Sequence, residues 1–250
     1  SFAGGLPAPE LFPVQEIAQV AHDLTLQEGQ KLLQYASTEG RPSLRAKIAQ
    51  RMKEKYDTPV EADDILITTG SQQCLDFAAK LFLDPGDVVL CESPSYLGAL
   101  NAFNAYEPIF KEVPTDADGI IPEELDKILS TTPNCKFIYV IPEFQNPTGI
   151  SWTLERRKKF MEVINKYELP VFEDNPYGEL RYSGTPHPTL KSMDTKGLVS
   201  FLGTFSKIFC PGLRLGWIAG PHAIVDKFVL IKQSADLHTS NFDQGLVDAY

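Results

Sequence analysis

The apolar residues of this chain recur with two different periods. Strand-like, largely apolar runs cover 65–69, 88–91, 108–113, 136–141, 170–173, 198–202 and 214–219. Such runs predict strands buried on both faces. Between most of them the spacing changes to that of a helix with one apolar side, over 71–83, 96–105, 122–129 and 153–167. An earlier helix is predicted over 43–56, where Leu44, Ile48 and Met52 fall on one face. Residues 1–30 are irregular, broken by Pro7, Pro9 and Pro13, with a short helical pattern over 14–24. Strands alternating with amphipathic helices predict an α/β fold, a mainly parallel, mixed seven-stranded sheet sandwiched by helices. The chain divides into an N-terminal segment, 1–40, and one large domain, 41–250.

In such a sheet ligands bind at the carboxyl ends of the strands, and polar residues gather there. The first strand leads into Gly70-Ser71-Gln72-Gln73 and a helix. Gly70 permits a tight turn, and the N–H groups of Ser71 and Gln72 at a helix N-terminus form an anion site. An ordinary N-cap serine has the same pattern. The second strand ends at Glu92-Ser93-Pro94-Ser95-Tyr96, where Tyr96 can stack on a flat ring or simply pack in a loop. The run 136–141 leads into a turn containing Asn146-Pro147-Thr148-Gly149. Asn146 there can donate into a cleft or close an Asx-turn. Glu173 and Asp174 end the next strand, and two acids there are costly unless one is paired or exposed. A carboxylate facing a pyridinium nitrogen would meet that need.

The densest chemistry lies in 201–217. Lys207 sits among Phe205, Ile208 and Phe209. Apolar surroundings lower a lysine pKa and free the neutral amine that attacks an aldehyde. Thr204, Ser206 and Arg214 offer donors to a phosphate, Arg214 bidentately. A solvent-reaching surface lysine is the plain alternative. It leaves unexplained a lysine and an arginine set in a run of apolar and small residues.

Composition narrows the partners. The 250 residues carry 23 basic and 33 acidic side chains, a net charge of -10. That argues against nucleic acid or an anionic membrane as main partner, because both need a positive surface. An anionic cofactor must then be held by a local pocket. The four cysteines are scattered with no CxxC pair, as thiols of a reducing compartment would be. His22, His187, His222 and His238 lie far apart, so no metal site is expected. No apolar run approaches the roughly 20 residues that span a bilayer, and no signal peptide opens the chain. The expected location is the cytoplasm. Ser1 opens without methionine, and 248–250 lie in a stretch with no helix stop, so the chain reads as a piece of a longer protein.

The motifs Gly-Ser-Gln-Gln at 70–73, Ser-Pro-Ser-Tyr at 93–96, Asn-Pro-Thr-Gly at 146–149, Glu-Asp-Asn-Pro-Tyr at 173–177 and Thr-Phe-Ser-Lys at 204–207, followed by Arg214, occur in one order. Together they resemble the class I/II aminotransferases of fold type I, which depend on pyridoxal 5′-phosphate. The resemblance runs from about Phe2 to the C-terminus. Gly4-Gly5-Leu6-Pro7 and the segment 35–40, with Leu44-Arg45 after it, look most like the branch of 2-aminoadipate, kynurenine and multi-substrate aminotransferases.

The resemblance implies transfer of an amino group between an amino acid and a 2-oxo acid, with Lys207, Asp174 and Tyr177 catalytic. Lys207 would hold the cofactor as a Schiff base and then move the proton between substrate Cα and cofactor C4′. Asp174 would pair with the pyridine nitrogen. Tyr177 and Asn146 would hydrogen-bond the ring hydroxyl oxygen, and Tyr96 would stack on the ring. Ser71, Gln72, Thr204, Ser206 and Arg214 would hold the phosphate. Tyr35 would reach the phosphate of a neighbouring subunit, which implies a homodimer with shared sites. Gly5 would lie near the substrate carboxylate. Family members continue into a smaller C-terminal domain whose arginine grips that carboxylate. The chain is expected to lack this domain, and so to bind the cofactor poorly or without efficient turnover. Other readings stay open: a fold type I β-lyase or decarboxylating synthase, a cofactor-sensing domain of an aminotransferase-like transcription regulator, or an α/β domain with no cofactor.

Overall fold

A computed structural model describes residues 5–250; Ser1–Gly4, and with them Phe2 and the first glycine of Gly4-Gly5-Leu6-Pro7, lie outside the described residues. Helices α1 (Val14–Leu32) and α2 (Pro42–Tyr56) come before the sheet. The alternation then runs β1 (Ile65–Thr68), α3 (Ser71–Phe82), β2 (Val88–Glu92), α4 (Leu97–Asn104) and β3 (Ile109–Val113). A small hairpin, β4 (Thr115–Asp116) and β5 (Gly119–Ile120), leads into α5 (Pro122–Ser130). After it come β6 (Cys135–Val140), α6 (Leu154–Tyr167), β7 (Val171–Asp174), β8 (Val199–Thr204) and β9 (Gly216–Ala219). Helices α7 (His222–Ala235) and α8 (Asn241–Ala249) follow.

Local chemistry sets several of these boundaries. Proline occupies the first turn of α2 and of α5, where its missing N–H has no helical partner to lose. Thr153 caps α6 by accepting from Arg156 N–H. Asp57 and Glu168 end α2 and α6 in the left-handed region.

Seven strands of the described residues form one sheet in the order β1-β9-β8-β7-β6-β2-β3. β9 pairs antiparallel with β1 and β8, and the other pairings are parallel. This is the mainly parallel, seven-stranded α/β sheet that the alternation predicts. Because β9 alone is reversed, it begins at the edge where the other six end. Thr68 and Thr204, the last residues of β1 and β8, both register with Gly216, the first of β9.

Successive strand residues face opposite layers. On one face Phe137, Tyr139, Phe172 and Ile218 pack with Phe77, Phe103 and Phe228 of the helices. On the other, Ile138, Val140 and Val171 pack with Leu125 and Phe160. Further along that face, Ile65, Ile67, Trp217 and Ala219 meet Leu44, Ile48 and Met52 of α2, the three residues that the spacing put on one side. Each fully buried large apolar side chain contributes about 1.5–3 kcal/mol.

Some boundaries differ from the sequence reading. α1 runs to Leu32 rather than stopping near 24. Its last carbonyls, of Lys31 and Leu32, accept from Asn241 Nδ2 at 2.8 and 3.4 Å, and Leu32 is buried beside Gly245. That support comes from α8, far away in sequence. The strand expected from 214 starts at Gly216, because Arg214 is left-handed at φ +52°. Helices α7 and α8 extend the order beyond the predicted alternation. Among the described residues no helix is long and apolar enough to cross a membrane.

Candidate active site

The ends of β1, β2, β6, β7 and β8 surround one cavity of about 530 Å³. At β1 the chain turns through Gly70, at φ +71°, into α3. Among the described residues no side chain caps α3; the Gln73 N–H donates to the Gly70 carbonyl at 3.2 Å, and the N–H groups of Ser71 and Gln72 are left for a ligand. The Arg214 guanidinium lies over this turn. A Cβ on Gly70 would stand 2.6 Å from Arg214 Nη2. Gly216 is as crowded, since a Cβ there would meet Ser71 N at 2.7 Å and the Gly70 carbonyl carbon at 2.8 Å. These two glycines let the start of β9, the start of α3 and Arg214 share one small volume. Ser206 completes this corner. Its N–H donates to Thr204 Oγ1 at 3.1 Å, and the two hydroxyl oxygens lie 3.0 Å apart.

Tyr96, at the entry to α4, folds its ring back over Gly98. A Cβ there would fall 2.4–2.6 Å from the ring atoms. Gln72 Nε2 donates to the Gly98 carbonyl at 2.7 Å and ties α3 to that turn. The loop after β6 carries Asn146. Its neighbour Gln145 donates to the Pro94 carbonyl at 2.7 Å, linking this loop to the one that carries Tyr96. Asn146 Nδ2 donates to the Tyr177 hydroxyl oxygen at 3.4 Å.

The two acids at the end of β7 take opposite sides of the sheet. Both are buried, and neither is left bare. Glu173 accepts from the N–H groups of Leu190 and Lys191, each at 2.9 Å. Burial still pushes it up to about 7. Asp174 faces the cavity. Its Oδ2 accepts from the Tyr139 hydroxyl at 2.7 Å, while Oδ1 is buried with no hydrogen-bond partner among the described residues. Burial pushes Asp174 up to about 6, against the pull of the Tyr139 bond. Lys207 lines the same cavity, and its Nζ donates to the Gly5 carbonyl at 2.8 Å. Its pKa is lowered by burial first and then by the Arg214 charge.

Gly5, Ser71, Gln72, Tyr96, Asn146, Asp174, Tyr177, Thr204, Ser206, Lys207 and Arg214, scattered through the chain, thus line the same cavity. Tyr35 stands outside it, exposed, edge-on to His238 at 6.0 Å between ring centroids. The sequence reading missed Tyr139, since nothing local marks one strand tyrosine as an acid's partner. It also missed Gly98, although a glycine two residues after an aromatic at a helix start hints at such a fold-back. Leu6, Leu97 and Asn101 also line the cavity.

A family profile described as aminotransferase class I and II matches residues 5–244. Aromatic-amino-acid aminotransferase 1 of Thermococcus litoralis is 44% identical, over 100% of this chain and 61% of its own length. The crystal structure of Pyrococcus horikoshii kynurenine aminotransferase, in complex with PMP, superposes with a TM-score of 0.94 at 42% identity, covering 99% of this chain and 62% of that one. The crystal structure of LysN, the α-aminoadipate aminotransferase of Thermus thermophilus, complexed with N-(5′-phosphopyridoxyl)-L-leucine, gives 0.93 at 41% identity, covering 99% and 62%. The chain therefore spans a little over three fifths of the length of these proteins.

Proposed function

The chain belongs to the class I and II aminotransferases, and from that membership we propose that it is the cofactor-binding part of an enzyme that moves an amino group between an amino acid and a 2-oxo acid. The cofactor of the family is pyridoxal 5′-phosphate. When bound, it supplies an aldehyde to an amine and a ring that draws electrons from the neighbouring carbon. One observation carries the reading. A single cavity joins a lysine of lowered pKa, a buried carboxylate oxygen without a partner, and an uncapped helix N-terminus under an arginine.

Those residues fit the group. Asp174 Oδ1 needs a donor, and a protonated ring nitrogen is one. The first N–H groups of α3, at Ser71 and Gln72, together with Thr204, Ser206 and Arg214 suit a phosphate. Tyr96 offers its ring face for stacking, and Asn146 and Tyr177 offer donors to a ring oxygen.

The chain's own residues then act as follows. Asp174 keeps a proton on the atom facing its Oδ1. Lys207, partly buried and near the Arg214 charge, has a lowered pKa, and its Nζ can take a proton from the substrate Cα and return it. Tyr177 and Asn146 hold the reacting end in place. The Gly5 carbonyl holds the amine of Lys207 and lies where a substrate carboxylate would approach. We further propose a homodimer in which Tyr35 serves the partner's site. The four cysteines are unpaired thiols, which supports a reducing compartment such as the cytoplasm.

The test is optical. Wild-type protein given excess pyridoxal 5′-phosphate should develop a visible absorbance band. Lys207→Ala should not. A colourless wild type, or a band that Lys207→Ala leaves intact, would sink the reading.

A further inference from the structure

Asp174 is held by a neighbour that the proposed chemistry does not use. Tyr139 is fully buried on β6, the strand beside β7. It registers with Phe172, so Tyr139, Phe172 and Asp174 project from the same face. Phe103 packs edge-on against the Tyr139 ring at 5.7 Å between centroids. The ring is thereby fixed, and its hydroxyl donates to Asp174 Oδ2. A hydroxyl has one proton to give, so one carboxylate oxygen is taken and the other is left without a partner on a residue that lines the cavity.

The remaining groups around Asp174 supply no charge near neutrality. Cys74 on α3 is pushed up to about 12 by burial. Tyr96 before α4 and Tyr177 after β7 are also raised by burial. Glu173 is turned to the other face and bound there. Among the described residues no ion pair joins Asp174 to Lys207 or Arg214, which line the same cavity. Tyr139 itself is raised far above the usual phenol range by burial and by Asp174, so it remains a donor throughout the working range.

We propose that Tyr139 is the positioning residue that keeps Asp174 ionised and keeps its Oδ1 aimed at the ring nitrogen of the cofactor. The proposal rests on the function given above. Without the hydroxyl, nothing among the described residues offsets the burial of the carboxylate. Asp174 would then hold its own proton near neutral pH, and a protonated acid cannot hold another on a ring nitrogen. A hydrogen bond to a charged group is strong enough for its loss to raise the acid's pKa by about one unit or more.

The experiment compares wild type, Tyr139→Phe, Asp174→Asn and the double variant. Carbon NMR of labelled aspartate in cofactor-free protein should place Asp174 about one unit or more higher in Tyr139→Phe. Binding of pyridoxal 5′-phosphate at pH 7 should weaken about tenfold in that variant, and the loss should shrink as pH rises. The double variant should bind no worse than Asp174→Asn alone, because Tyr139 acts through Asp174. Should the phenylalanine disturb folding, 3-fluorotyrosine at position 139 tests the same bond: its more acidic hydroxyl should lower the Asp174 pKa. An unmoved Asp174 titration, or losses that add in the double variant, would overturn the proposal while the function stands. A wild type that does not bind the cofactor would overturn both.

Discussion

At the scale of single residues the site is held by burial opposed to need. Asp174 is costly where it stands, since its carboxylate is buried with one oxygen unpaired. Its pKa, raised to about 6, puts a sign on that cost. A raised folded pKa means that the folded state holds the proton longer than the unfolded chain. The stability from this group is therefore complete below about pH 4 and is lost as pH rises through about 6. We expect Asp174→Asn, free of cofactor, to match wild type in urea unfolding near pH 4. Near pH 8 it should be more stable by up to about 3 kcal/mol. The same variant should bind pyridoxal 5′-phosphate worse. An equal stability difference at both pH values would show that the carboxylate is not under this strain. The sequence announced that one of two adjacent acids needed a partner. It did not say which, because both follow an apolar strand and only the alternation of faces separates them.

At the scale of elements, the site depends on β9 being threaded between β1 and β8. Gly216 makes that possible, since backbone atoms of Gly70, Ser71 and Gly203 would all lie within 3 Å of a Cβ placed there. Those neighbours are backbone and cannot turn aside. Gly216→Ala should cost about 1–3 kcal/mol, a fall of about 2–4 °C in Tm for each kcal/mol in a chain of this size. It should also weaken cofactor binding by moving the start of α3. Gly212→Ala, where a methyl meets open space, should change stability by less than about 0.5 kcal/mol. Calorimetry of the two variants checks this, and similar losses in both would refute the crowding account. The strands were legible because each carries its own apolar run. The reversal of β9 was not, since the same run suits either direction.

At the scale of the whole molecule, the acidic chain gathers its cationic and donor groups for the proposed phosphate at one edge of the sheet. The proposed dimer follows from what remains outside that edge. Leu26, Leu33 and Tyr35, on and just beyond α1, expose 73%, 77% and 79% of their surface, and apolar groups left so open mark an interface when they adjoin. Sedimentation should give twice the 27.8 kDa of one chain, and Tyr35→Ala should weaken cofactor binding without loss of fold. A monomer that binds the cofactor normally would refute the shared site. The sequence by itself determined the alternation of strands and helices from β1 to β9, apart from the short β4–β5 hairpin, and nearly all the residues that meet in the cavity. It could do so because periodicity is local and ligand-facing residues follow directly after strands. Tertiary structure decided what depends on distant partners. It set the end of α1, where Asn241 reaches back 210 positions, the direction of β9, and the choice of Tyr139, 35 positions before Asp174, as its hydrogen-bond donor. Such contacts leave no local signature, since either residue alone would pack equally well in an ordinary core.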